Sequence, residues 1–212
     1  MKKLFSAFWL CILFCLTTLY GCNNRIYVSE EASLQRAFRE GGDVWLEKDI
    51  VCSSPVTVSR DVTLHLNGKQ LTCETTALLV TAGRLTVEGD GSVLGGKSAS
   101  GNTVAVCGET ASVFLKGGSF ACGGDEKTAN RCIFVQTGNA FIYGGTFRAA
   151  AEAENAFCVL DVEDNGPGTI VVYGGTFFGQ DPSLGDDHSK GTFVAEGFFV
   201  QQEGNAFSVT RP

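Results

Sequence analysis

Five times along this chain a short alternating segment ends on a glycine. The segments are Leu64-His65-Leu66-Asn67-Gly68, Leu85-Thr86-Val87-Glu88-Gly89, Val113-Phe114-Leu115-Lys116-Gly117, Ala140-Phe141-Ile142-Tyr143-Gly144 and Ile170-Val171-Val172-Tyr173-Gly174. The glycines lie 21, 28, 27 and 30 residues apart. A unit this small cannot bury its apolar face alone, so a repeat of this period requires each unit to stack on the one before. A second phrase returns in step: Gly117-Gly118-Ser119-Phe120, Gly144-Gly145-Thr146-Phe147 and Gly174-Gly175-Thr176-Phe177. A two-sheet sandwich also has short strands and glycine turns, but it gives no reason for the phrase to recur.

Each unit holds a continuous apolar run before the alternating one. Leu78-Leu79-Val80 precedes Leu85-Thr86-Val87, and Ile133-Phe134-Val135 precedes Phe141-Ile142-Tyr143. Three short strands per turn of roughly 25 residues is the arithmetic of a single-stranded parallel β-helix, a β-solenoid of about six to seven coils. Glycine and asparagine accept left-handed backbone angles and mark the corners. Gly101-Asn102, Gly138-Asn139 and Gly204-Asn205 are expected at corresponding corners, with their Asn side chains bonding up a column.

The first residues read as a leader. Lys2 and Lys3 precede an uncharged apolar run, Leu4 to Leu16, which is too short to span a bilayer. Leu19-Tyr20-Gly21-Cys22 resembles the bacterial lipobox, in which the cysteine is acylated and becomes the mature N-terminus. The domain reading is residues 1–21 as a lipoprotein signal, 22–28 as a tether and 29–212 as the β-helix domain. A plain secretion signal is the alternative. Ser29 reads as a helix N-cap, Glu30 and Glu31 suit the first turn, and Leu34, Ala37 and Phe38 make one apolar face. Gly41-Gly42 end this helix, over about 30–40. It is expected to cap the open end of the solenoid.

Cleavage before Cys22 leaves 14 of the 16 basic residues against all 23 acidic ones, a net charge of −9. That balance repels nucleic acid and anionic surfaces, so no nucleic-acid partner is expected, and the membrane is reached through the lipid only. Cys11 and Cys15 fall in the leader and Cys22 at the lipidation site. Cys52, Cys73, Cys107, Cys122, Cys132 and Cys158 remain, with no CxxC spacing for zinc or thioredoxin-type chemistry. They read as small apolar residues inside the stack, with one or two disulfides as the alternative.

Alternation assigns the faces. Leu64/Leu66, Leu85/Val87, Val113/Leu115, Ala140/Ile142 and Ile170/Val172 must point inward. The outward face is then His65/Asn67, Thr86/Glu88, Phe114/Lys116, Phe141/Tyr143 and Val171/Tyr173, polar at first and aromatic later. Phe114, Lys116, Phe141, Tyr143 and Tyr173 form the candidate ligand-binding patch, whose ring faces would stack on sugars. The competing reading is a loop or the C-terminal tail lying across the stripe. His65 stands alone and reads as solvated. Asp181, Asp186, Asp187 and His188 hold calcium-type donors in one loop, but their spacing fits no EF-hand and no calcium nonapeptide. No cofactor is therefore expected, with a calcium ion at this loop as the alternative. Glu163-Asp164 and Asp125-Glu126 read as loop acids.

Val62-Thr63-Leu64-His65-Leu66-Asn67-Gly68-Lys69-Gln70-Leu71-Thr72, Gly83-Arg84-Leu85-Thr86-Val87-Glu88-Gly89 and the Gly-Gly-Thr-Phe units resemble bacterial surface proteins of the right-handed parallel β-helix, pectate-lyase-like superfamily. The resemblance covers about residues 30–210 and implies that fold with its N-terminal cap. That fold carries lyases, hydrolases, adhesins and surface proteins alike. A glycosidase needs two carboxylates about 5 to 9.5 Å apart across one cleft. The outward column offers Glu88 and Lys116 without a matching acid, and Asp161 stands alone. The expectation is a non-catalytic, lipid-anchored module on the bacterial cell envelope that binds polysaccharide or another surface component. A small polysaccharide lyase or hydrolase, and a structural scaffold or adhesin module, are the alternatives.

Overall fold

A computed structural model describes residues 25–96, 101–123, 130–149, 159–185 and 191–212. The leader, Cys22, Cys158, Asp125, Glu126, Asp186, Asp187 and His188 lie outside the described residues. The chain runs β1 (Arg25–Val28), α1 (Glu31–Glu40), β2 (Gly42–Leu46), β3 (Ile50–Cys52), β4 (Val56–Val58), β5 (Val62–His65), β6 (Lys69–Cys73), β7 (Leu78–Val80), β8 (Arg84–Glu88) and β9 (Gly91–Gly95). It continues through β10 (Asn102–Leu115), β11 (Ser119–Cys122), β12 (Arg131–Ile142), β13 (Thr146–Arg148), β14 (Leu160–Val162), β15 (Thr169–Val172) and β16 (Gly175–Phe178). A 3₁₀ turn at Pro182–Leu184 then leads to β17 (Phe199–Glu203) and β18 (Ala206–Thr210).

Apart from the antiparallel β17 and β18, these strands form large parallel sheets. Successive strands fall in rotation into three ladders. One joins β4, β7, the first half of β10, the first half of β12, and β14. The second joins β1, β2, β5, β8, the second halves of β10 and β12, and β15. The third joins β3, β6, β9, β11, β13 and β16. The long strands β10 and β12 belong to two ladders because each turns a corner, with register breaks between Val106, Cys107 and Ser112. Gly138 sits on that corner at φ +84, where an added Cβ would lie 2.5 Å from the Ala111 carbonyl oxygen. Only glycine relieves both constraints there.

Every residue assigned inward by alternation is buried, and together with the other apolar strands they make one core. The Gly-Gly-Ser/Thr-Phe phrase has a physical reason. Its second glycine takes φ of +90, +106 and +112 at Gly118, Gly145 and Gly175. That turn swings Phe120, Phe147 and Phe177 inward, in register and fully buried. Their rings stack with centroids 5.2 and 4.9 Å apart.

Several expectations are corrected. Residues 25–28 are not tether but strand, paired in parallel with β2. The N-cap of α1 is Glu30, in extended conformation and without a side-chain capping bond, rather than Ser29. The helix buries Leu34, Ala37 and Phe38 against the first strands. Its Glu31 carboxylate takes hydrogen bonds from Ser53 N and Oγ, at 2.9 and 3.0 Å, and from Ser54 N at 3.3 Å. The first repeat interval is 23 residues rather than 21, because Leu64 pairs with Val87 and His65 with Glu88. Asn67 therefore leaves the outward face. It turns the corner at φ +52, and its Nδ2 donates to the Leu46 carbonyl. The three Gly-Asn steps do not share a corner. Asn102 opens β10 opposite Arg131, Asn139 lies inside β12 with its Oδ1 accepting from Thr169, and Asn205 belongs to the turn between β17 and β18.

Cys52, Cys73, Cys107 and Cys132 are free thiols, and these four and Cys122 are all buried except the half-buried Cys107. Cys52 and Cys73 are register partners on β3 and β6. Burial pushes the Cys52 thiol up to about 12, with the negative charge of Glu31 and the neighbouring Cys73 adding to it. Burial also holds Cys132 well above the usual thiol range and raises Cys107.

Candidate functional site

The second ladder carries the site on its outer side. Residues with one outward position per strand line up as Tyr27, Trp45, His65, Glu88, Lys116, Tyr143 and Tyr173. A neighbouring line, two residues earlier, holds Thr86, Phe114, Phe141 and Val171, and Arg84 lies one position further along, as the register partner of Ser112. The structure thus brings Phe114, Lys116, Phe141, Tyr143 and Tyr173 together. Phe114 stacks on Phe141 at 4.9 Å, Tyr143 on Tyr173 at 4.8 Å with planes 5° apart, and Phe114 lies 6.4 Å from Tyr143.

That geometry decides what the rings offer. Two parallel rings 4.8 Å apart cannot lie side by side in one plane without clashing, so they are offset-stacked along the strand-to-strand direction. Their faces cover one another and their edges point out. The outer face of Phe114 is taken by the Arg84 guanidinium at 5.1 Å, and Tyr173 meets the Phe198 ring edge-on at 5.6 Å. The strip therefore presents ring edges and tyrosine hydroxyls, not the open ring faces that the sequence led one to expect. Neither the Tyr143 nor the Tyr173 hydroxyl has a hydrogen-bond partner among the described residues, and Tyr143 is 46% exposed.

The stripe is covered at one end and open along the rest. The C-terminal segment does lie across one end, where Val194 bridges Val172 in parallel and Phe198 packs on Tyr173 under the Arg211 guanidinium. Phe114, Phe141 and Tyr143 stay open or half-open. Phe198 and Arg211 escaped the sequence reading because they lie outside the repeat. Arg84 had a signal, since it shares the outward parity of Thr86 and Glu88.

Charges along the column are internally matched. The Lys116 Nζ is 2.7 Å from Glu88 Oε1, and His65 Nδ1 is 3.9 Å from Glu88 Oε2. His65 is not a solvated residue. Its ring stacks on Trp45 at 4.0 Å, and Arg25 and Tyr27 flank the same indole at 5.0 and 6.3 Å. The Trp45 Nε1 is buried with no acceptor among the described residues. Asp161, expected to stand alone and face outward, is 3% exposed and forms an ion pair with Arg131. The Asp181 carboxylate caps the 3₁₀ turn by accepting from Ser183 N and Oγ at 2.9 and 2.7 Å. No group of three or more metal-binding side chains occurs among the described residues. No helix among them is long and apolar enough to cross a membrane.

No protein-family model, no curated protein and no solved structure matches this chain.

Proposed function

We propose that the chain is a right-handed, single-stranded parallel β-helix of the pectate-lyase-like kind, with α1 over its first turn, held on the bacterial cell envelope by acylated Cys22. It acts without catalysis as a surface binding module and takes a polysaccharide along the strip Phe114, Phe141, Tyr143 and Tyr173, with Lys116 at its margin. The observation that carries this reading is the pair of in-register tyrosines, stacked 4.8 Å apart, whose hydroxyls have no partner among the described residues. A ladder of rigid, amphipathic side chains at strand spacing gives a linear polymer repeated apolar edges and hydrogen-bonding groups at low entropic cost. Glu88, the carboxylate beside the strip, is spent on Lys116, and Asp161 on the next ladder is buried against Arg131, so neither is paired with a second acid across a cleft, which favours binding over hydrolysis.

A glycan array with the mature protein tests this. Binding to a defined saccharide class, weakened at least about tenfold (roughly 1.4 kcal/mol) by Tyr143→Ala and by Phe141→Ala, is expected. Absence of any bound saccharide, or binding as tight as the unsubstituted protein's in both variants, sinks the reading. Cleavage of the bound polymer would put a lyase or hydrolase in its place.

A further inference from the structure

The structure's first rung carries a feature that the binding strip does not use. β1 begins at Arg25, and only Asn23 and Asn24 separate it from Cys22. Three residues of extended chain reach no more than about 11 Å. If Cys22 is acylated, there is no free tether, and the edge of β1 is held at the headgroup level of the bilayer. The outward residues of the first two rungs are Arg25, Tyr27, Asp43 and Trp45, with Tyr27 52% exposed. Tyrosine and tryptophan are the side chains that partition to the membrane interface, because one end is apolar and the other polar.

We infer that this rung is a membrane-docking face, in which Tyr27 and the Arg25–Trp45 pair sit among zwitterionic headgroups and the ladder rises away from the bilayer. The inference rests on the anchoring of Cys22 proposed above. It replaces contact through the lipid alone with contact through lipid and side chains together. Asp43 is the register partner of Arg25 and offsets its charge, so the attraction comes from the rings and needs no anionic lipid. Six strand steps of about 4.8 Å then place Tyr173 roughly 29 Å above Tyr27, and the glycan strip projects outward from the surface.

The mature chain carries its own reporter. Trp9 leaves with the leader, so Trp45 is the one tryptophan after cleavage before Cys22. The full acylated protein is reconstituted in phosphatidylcholine vesicles bearing a nitroxide on a fraction of the headgroups. Loss of Trp45 emission is expected, whereas Phe199→Trp placed in a Trp45→Phe background keeps its emission. Insertion of a long flexible Gly/Ser segment between Asn24 and Arg25 is expected to leave the Trp45 quenching in place, and Tyr27→Ser added to that insertion is expected to abolish it. Recovery of emission on insertion alone would show tethering without docking, and equal quenching at positions 45 and 199 would show a molecule lying on its side. Either result overturns the inference. Intact mass without an acyl group on Cys22 overturns the anchoring reading itself and this inference with it, before any vesicle is made.

Discussion

Phe147 lies between Phe120 and Phe177 in the buried ring stack, in contact with both. Truncation leaves a cavity bounded above and below by stacked rings that cannot collapse sideways. Phe147→Ala is therefore expected to cost about 3–5 kcal/mol in urea unfolding. Lys116→Met should behave oppositely. Its ion pair with Glu88 is half-exposed, and pairs of that kind contribute at most about 1 kcal/mol. The Cys52 thiol supplies a pH signature. Its folded-state value of about 12 lies above the ordinary thiol value of 9.0, so its contribution is fully present below pH 9 and is lost as pH rises from there toward 12. Alkaline unfolding measured in wild type and in Cys52→Ala should show a shallower limb in the variant.

At the level of elements, α1 is held by its face and by one carboxylate. Burial opposes ionisation of Glu31, but the hydrogen bonds from Ser53 and Ser54 outweigh it and hold its value below 4.5. The stability it contributes is present above pH 4.5 and disappears as pH falls below that. Glu31→Gln is expected to lower thermal stability at neutral pH and to bring the two proteins together in acid, as read by melting curves across pH 3 to 7. The corner in β12 is a second element-scale test. Gly138 and Gly197 share a φ near +80, but an added Cβ meets the Ala111 carbonyl only at Gly138 and nothing within 4 Å at Gly197. Gly138→Ala should therefore be the more destabilising by more than about 1 kcal/mol, and equal losses would show that backbone angle alone sets the cost.

Across the whole molecule, the parallel third ladder ends in an antiparallel pair. β18 adds to β16, and β17 covers β18. A parallel stack presents an open strand edge at its last turn, and an open edge recruits other chains. The hairpin covers the β16 edge and leaves the exposed, mostly polar antiparallel β17 as the outermost strand, while Phe198, just before β17, seals the end of the aromatic strip. Truncation before Phe198 is expected to yield a protein that self-associates with concentration in sedimentation velocity. A monomeric truncated form would show that the hairpin protects nothing.

Strand parity, the inward aliphatic set and the contiguous outward rings were legible in the residues, because a period of two and a recurring glycine are local properties set by backbone sterics. The Gly-Gly-Ser/Thr-Phe phrase was visible too, although its role as a buried ring stack required the register. What the residues could not decide was alignment between turns of unequal length. The shift that removed Asn67 from the outer face and set His65 beside Glu88 depends on how far each corner bulges, and that is fixed by packing of one turn on the next. The burial of Asp161 beside Arg131, the Trp45 sandwich of Arg25 and His65, and the arrival of Phe198 over Tyr173 join positions 20 to 30 residues apart. Such contacts carry no local signature. They exist because stacking brings successive turns within about 4.8 Å of one another, and the same spacing forces the rings to turn their edges, rather than their faces, toward the solvent.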